Sequence, residues 1–389
     1  MKSEGKGKKL NSLADKFLLD PEVIFLNHGS FGATPRSVFD RYQGFQRELE
    51  KQPVAFLGRD FQSQMSEARQ TLANYLNTPE DHIVYVNNAT TAINIVARNL
   101  ALAPGDEVLA TDHEYGAMDR TWKFLSQKRG FSYIRQPIPV PISDSSHILE
   151  NLWKGVTSKT RVLFVSHITS PTSVIFPVKE ICEEARSQGI LTLIDGAHAP
   201  GQISLDLSKI QADFYAGNLH KWLCAPKGAG FLYARPEHHH LLDPLIVSWG
   251  WQSEKPGSSL LIDHHEWQGT RDPAAWLAVP EAIQFQHENQ WDSVRHLCHE
   301  MAVDVQNRLV DLAGMPALTD SALFAQMVSH PLPISDPDAL QRHLMEKNAI
   351  EVPIFEWNEK SILRVSIQGY NSPAQIDLLI NALKHYWSH

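Results

Sequence analysis

ILTLIDGAHAPGQ, residues 190–202, is the stretch on which the fold turns. Its first five residues are apolar or β-branched, the mark of a strand buried on both faces, and Gly189 before it is placed to end a helix through a left-handed cap. Asp195 then falls at the strand's carboxyl end, with Gly196 and small residues behind it leaving room for a flat ligand. Outward from this point, β-rich runs at 83–86, 107–110, 131–135, 161–168, 213–216 and 230–233 alternate with helical stretches at 91–102, 117–129, 147–156 and 177–188. That alternation predicts an α/β fold: a large domain with a mostly parallel sheet covered by helices on both faces. In such sheets ligands bind beyond the carboxyl ends of the strands, so the residue after each strand is where chemistry is sought.

Past residue 273 the texture changes to α+β. Helices are expected at 273–290, 292–312, 337–348 and 373–386, with short strands near 323–329 and 361–367. At 389 residues two domains are expected. The division runs as a flexible basic tail over 1–20, a large domain over 21–272 whose N-terminal helical segment wraps both domains, and a smaller C-terminal domain over 273–389. A composition of 43% hydrophobic and 20% charged residues with net charge −9 is that of a globular chain and argues against a nucleic-acid surface. No apolar run reaches the ~18 residues of a membrane span, and no apolar leader follows MKSEGKGKKL. Three cysteines without paired spacing suit a reducing cytoplasm. The runs His238-His239-His240 and His264-His265 lack metal-ligand spacing, so no metal is expected.

The second decisive segment is NLHKWLCAPKGAG, residues 218–230, in which Lys221 follows the strand ending near 216. Alone, an aspartate ending a strand is more often a cap or loop anchor, and a lone lysine a solvated surface residue. Together at the mouth of one sheet they suit pyridoxal chemistry. The amine condenses with the cofactor's aldehyde, and the carboxylate keeps the pyridine nitrogen protonated so that the ring accepts carbanion charge.

DGAH at 195–198, HKW at 220–222 with PKGAGFLYAR behind it, NNATTAIN at 87–94 and GTRDPAAW at 269–276 resemble the class V aminotransferases, pyridoxal-phosphate enzymes of fold type I. LNHGSFGATP at 26–35 and QPVAFLGRDF at 52–61 point within that family to the isopenicillin N epimerase-like branch. The resemblance implies that Lys221 is the catalytic, cofactor-bearing lysine and Asp195 the partner of the ring nitrogen. His198 would donate to the cofactor's phenolic oxygen, and Asn218 and His220 would contact its phosphate. Ala89, Thr90 and Thr91 would add a helix N-terminus to that phosphate cradle, a reading the physics of helix ends also supports. Tyr115 is expected to stack on the cofactor, with His113 in reserve. Thr270 would reach the phosphate of a neighbouring subunit, implying a homodimer with shared sites. Arg364, inside an apolar strand, would bind the carboxylate of a small amino-acid substrate through its planar fork. Asn27, His28 and Arg59 are the remaining substrate-side candidates, the side-chain pocket being lined partly by residues 27–31 and 53–59.

The implied reaction is epimerisation at the α-carbon, with His28 and Tyr115 as candidates for a second proton donor. Carbon–sulfur lysis by β-elimination, which needs only one base, and transamination of a sulfur-containing amino acid are the alternatives. Cysteine desulfuration is disfavoured because no cysteine follows Cys298. A non-catalytic scaffold is disfavoured by the joint presence of Lys221, Asp195 and Arg364.

Overall fold

The computed structural model describes residues 13–387. Its central sheet has seven strands in the order Ile83–Val86, Gly230–Ala234, Phe214–Asn218, Leu191–Gly196, Thr160–Ser166, Glu107–Thr111 and Ser132–Gln136. Gly230–Ala234 runs antiparallel to both neighbours, and all other pairs are parallel. Leu191–Gly196 is therefore the middle strand, and its register sets Asp195 beside Ser166 on one side and Ala216 on the other.

Local chemistry explains where the elements begin and end. Gly189 takes φ +68°, donates to the Arg186 carbonyl, and hands the chain to Ile190, whose N–H returns to Ala185. This pair of bonds closes the Val178–Ser187 helix and aims the next residue into the sheet. Asp144 accepts the His147 N–H at 2.9 Å, so the helix expected from 147 starts earlier, at Ser145–Trp153. Asn88 caps the Ala89–Asn99 helix by accepting the Thr91 N–H at 2.9 Å.

A second, antiparallel sheet carries Lys360–Ser366 between Ile354–Trp357 and Met327–Leu332. The Met327–Leu332 strand lies later than the expected 323–329, because Asp320 caps a short turn at Ser321–Leu323. Trp291–Ala313 and Pro337–Asn348 pack on this sheet, and Pro373–Trp387 packs on both of those helices. Ile24–Phe25 pairs in parallel with Ile350–Glu351, tying the N-terminal segment to this region.

Two expectations change. Residues 1–12 of the basic tail lie outside the described residues, but the tail does not extend to 20. Leu13 and Phe17 are buried, the Leu13 N–H donates to the Gly369 carbonyl at 3.1 Å, and Phe17 meets Tyr370 edge-on at 4.9 Å. The helices after residue 273 also start in the large-domain layer: Val279–Glu288 packs against Arg36–Lys51 and Phe61–Leu76. One apolar cluster runs through both sheets. No helix among the described residues is long and apolar enough to cross a membrane.

Candidate active site

The carboxyl edge of the central sheet opens on a cavity of about 230 Å3 lined by Asn88, Thr90, Asp195, His198, His220 and Lys221 among others. Asp195 is only 4% exposed, and its Oδ1 accepts the Ala197 N–H at 2.9 Å. Burial pushes its carboxyl up from the ordinary value, while the Ala197 bond and the charge of Lys221 pull it back.

Lys221 faces His198, with Nζ 3.1 Å from the imidazole Nε2. The tautomer follows from the next contact. The Trp222 indole N–H can only donate, and it meets His198 Nδ1 at 3.2 Å, so the proton of the neutral ring sits on Nε2. Burial, reinforced by the charge of Lys221, holds His198 well below the imidazolium range. His198 thus presents an N–H donor to the cleft, and Lys221 meets it as a neutral amine. Burial, with the charge of Arg364 adding to it, lowers Lys221 to about 7, against the opposing pull of Asp195.

The turn that carries Lys221 is held from beneath by the N-terminal segment. His28 is buried, donating from Nε2 to the Lys221 carbonyl at 3.0 Å and accepting the Tyr370 hydroxyl at Nδ1 at 2.9 Å. Gly32 sits at φ +70°, and a Cβ there would lie 1.9 Å from the His220 carbonyl oxygen, so the two backbones touch. His28 is therefore a strut of the Lys221 turn. It is neither a substrate ligand nor a second proton donor, since both ring nitrogens are engaged and burial lowers it to about 3.

At the other end of the cavity the Ala89–Asn99 helix points its N-terminus at the cleft. The Ala89 N–H goes to Asn218 Oδ1 at 2.8 Å, and Thr91 gives its N–H and hydroxyl to Asn88. Thr90, whose amide neither asparagine takes, lines the cleft, whereas Thr91 is turned to the Asn88 cap instead. His220 Nδ1 donates to the Ala229 carbonyl at 3.2 Å, and burial lowers its imidazole to about 4, leaving Nε2 an unprotonated acceptor. Thr270 is exposed and outside this cavity, but its neighbour Arg271 reaches Asn87 at 2.5 Å and lies 3.9 Å over the Trp276 ring.

Arg364 comes from the second sheet and is 6% exposed, with no acidic partner among the described residues. Nη1 donates to the Ser170 carbonyl at 2.9 Å and its hydroxyl at 3.0 Å, and Nη2 donates to Ser30 Oγ at 3.1 Å. Nε has no hydrogen-bond partner among the described residues. Burial lowers the guanidinium to about 10. A buried cation held only by neutral groups is a place for an incoming carboxylate.

Of the two aromatic candidates after the Glu107–Thr111 strand, Tyr115 lines the cleft at 50% exposure. His113 does not: it is buried between Thr172 Oγ1 at 2.7 Å and the Ile138 carbonyl at 2.8 Å, packed on Trp357. Asn27 stands one step back, accepting the Ser30 hydroxyl at 2.5 Å and so orienting the group that holds Arg364. Arg59 is exposed on the Ala55–Arg59 turn, and no residue from 53–59 lines the cleft within this chain. Sequence reasoning covered Ser30 within 27–31 without giving it a role, and missed Ser170, Ser166 and Glu114. Glu114 is buried, accepting from Thr111 Oγ1 at 2.7 Å and Ser166 Oγ at 2.6 Å, and burial raises its carboxyl to about 8. Among the described residues no three metal-ligating side chains converge. His238 pairs with Asp213 at 3.0 Å, and His264 and His265 both meet the Leu242 carbonyl at 3.2 Å.

A neutral lysine and a carboxylate at the mouth of this sheet, with an N–H donor between them and a helix N-terminus opposite, fit pyridoxal phosphate group by group. The fold and site define a fold-type I pyridoxal-phosphate enzyme. The Aminotransferase class-V family profile matches residues 24–379, and the chain belongs to that family. It is 37% identical over 381 residues to an isopenicillin N epimerase of Streptomyces clavuligerus, covering 95% of this chain and 96% of the relative. A probable chloroplastic L-cysteine desulfhydrase of Arabidopsis thaliana is 29% identical over 94% of this chain and 83% of its own length. The apo structure of a cysteine desulfurase from Thermococcus onnurineus NA1 superposes with TM-score 0.81 at 19% identity, over 96% of this chain and 97% of that one, a likeness of fold.

Proposed function

We propose that the chain is an amino-acid epimerase acting at the α-carbon, carried by one observation: the buried, acid-free guanidinium of Arg364 opening on the cleft that holds Lys221. Bound there, pyridoxal phosphate supplies an electron sink for charge developing at the substrate's α-carbon. Asp195 would hold the ring nitrogen, His198 would give its Nε2–H to the phenolic oxygen, and the Asn218 amide with the free N-terminal end at Thr90 would hold the phosphate, whereas the Ala89 N–H is already given to Asn218 and His220 Nε2 has no proton to donate. Lys221, lowered to about 7 so that a large share of it is neutral at that pH, would be the amine that holds the cofactor's aldehyde carbon and, once released from it, the base at the α-proton. Arg364, set by Ser30 and Ser170, binds the substrate carboxylate and so fixes which bond at the α-carbon faces Lys221. Tyr115, on the cleft wall, is the stacking ring and the side chain placed to deliver a proton, directly or through water, from the other side.

The 37% identity to an epimerase over nearly the whole chain supports this reading. A carbon–sulfur lyase is the second reading, favoured by the likeness to a desulfhydrase and by a cleft that offers one lysine base, which is all an elimination needs. All three cysteines are buried, with burial raising Cys182 and Cys298 to about 12 and Cys224 higher still, which fits neither sulfur transfer nor an oxidising compartment and suits the cytoplasm. A homodimer is supported by the exposed apolar run at Ile246, Val247 and Trp249, the last 84% exposed, and by Thr270 lying outside its own cleft. Sedimentation of the holoenzyme checks that assembly. The reaction is tested by incubating the holoenzyme with sulfur-containing L-amino acids in deuterated water. Deuterium at the α-carbon with loss of optical activity supports epimerisation; pyruvate and released thiol without racemate support the lyase and sink the epimerase.

A further inference from the structure

Outside Arg364 the cleft widens into a second cavity of about 530 Å3, more than twice the inner one. Its walls are aromatic. Phe31, 73% exposed, and Tyr115 stand at the opening between the two cavities, and the Phe355 ring lies 5.8 Å from the Arg364 guanidinium. Trp357 is fixed alongside by its indole N–H, which donates to the Asp112 carbonyl at 3.0 Å. A large ring exposed at the mouth of a cleft is an uncovered apolar surface with a ligand-sized space in front of it.

The charges around this space are unequal. Asp112, Glu114, Asp119 and Glu356 line it against one base at the rim, Arg135. Arg135 is bound to Asp119 at 3.2 Å, which also takes the Tyr133 hydroxyl at 2.5 Å. Glu114, with its raised carboxyl, is uncharged at neutral pH. The Asp112 carboxylate accepts the Ile138 N–H at 2.9 Å and the Asn358 amide at 2.8 Å, while Arg135 reaches its backbone carbonyl at 3.4 Å, so Asp112 and Asp119 share the one charge of Arg135. Glu356 is exposed at the rim. The cavity therefore runs from a buried cation whose Nε has no partner among the described residues, through aromatic walls, to a rim where the carboxylates of Asp112, Asp119 and Glu356 outnumber the charge of Arg135.

We propose that this outer cavity is the substrate's side-chain subsite and that it takes an amino acid whose side chain is apolar along its length and neutral or cationic at its tip, rejecting a second carboxylate. The proposal rests on the reading of Arg364 as anchor of the α-carboxylate. Polarity then has one direction: the carboxylate end goes inward, and a distal carboxylate would be carried toward Asp112 and Glu356.

Four L-amino acids of similar length separate the cases: norleucine, methionine, lysine and 2-aminoadipate, each titrated into the holoenzyme while the cofactor's visible absorption is followed. Norleucine, methionine and lysine are expected to perturb the spectrum at concentrations about tenfold or more below 2-aminoadipate. Glu356→Lys, at the exposed rim, should narrow that gap by tightening 2-aminoadipate alone. Equal affinity for norleucine and 2-aminoadipate, or a Glu356→Lys protein with an unchanged ratio, overturns the subsite assignment and leaves the Arg364 anchor standing. A spectrum that answers to none of the four overturns the anchor itself.

Discussion

The inner and outer cavities share Ser30, Tyr115, Ser170 and Lys221 but are built in opposite ways. In the inner cavity nearly every functional atom is fixed by a second group: Asp195 by the Ala197 N–H, His198 by the Trp222 indole, Ala89 by Asn218, and the Lys221 turn by His28. The outer cavity is walled by side chains such as Phe31, Tyr115 and Glu356 that stand in solvent. Chemistry common to a whole family needs the first kind of wall, because a misplaced group costs rate directly. Choice of substrate can be left to the second, where a changed side chain alters fit and little else.

Substitutions should expose that difference. The largest loss is expected from Asp195→Asn, which keeps the shape and removes the charge opposite the ring nitrogen: a fall in kcat of about 10²–10³-fold with the cofactor still attached. Arg364→Lys comes next, because an ammonium cannot reproduce the fork held by Ser30 and Ser170. Roughly 1.5–3 kcal/mol, about one to two orders of magnitude in kcat/KM and mostly in KM, should be lost. Equal losses in kcat and kcat/KM would place Arg364 at the reacting atoms instead.

Buried histidines at the site and away from it should also make the fold acid-sensitive. His28, His167, His220, His265 and His330 are held neutral by burial, at about 3 for the first and about 4 for the others. The unfolded chain binds protons at these histidines from about pH 6.5 downward while the folded chain refuses them, so stability is lost as pH falls from there toward 4. Denaturation midpoints across that window should drop, and His28→Asn should flatten part of the slope. A midpoint level from pH 7 to 5 would contradict the burial of these rings. The smallest effect belongs to the outer wall: Phe31→Ala should shift KM for an apolar amino acid by roughly 1 kcal/mol, with kcat nearly unchanged.

The same contrast governs what could be read from the chain in advance. The cleft positions of Asp195 and Lys221 were legible because each sits within a few residues of the end of an apolar run, where α/β sheets bind ligands, whereas that of His198 came from the family resemblance. Arg364 stood out because an arginine inside an apolar strand needs a partner, and the family resemblance suggested a carboxylate. His28 was misread because what engages it lies far along the chain, at Tyr370 and the Lys221 carbonyl, 342 and 193 residues away. Ser30 and Ser170 look like ordinary turn serines until the second sheet carries Arg364 between them. Of the outer cavity only 29–31 carried a local signal, since 112–119 and 353–358 join it only in the folded chain.

The most direct test of the central claim is to reduce the holoenzyme with borohydride and map the cofactor-modified peptide by mass spectrometry. The account predicts a single adduct on Lys221, with none in Lys221→Ala. An adduct on Lys227 or elsewhere, or a Lys221→Ala protein that is still labelled, would contradict it.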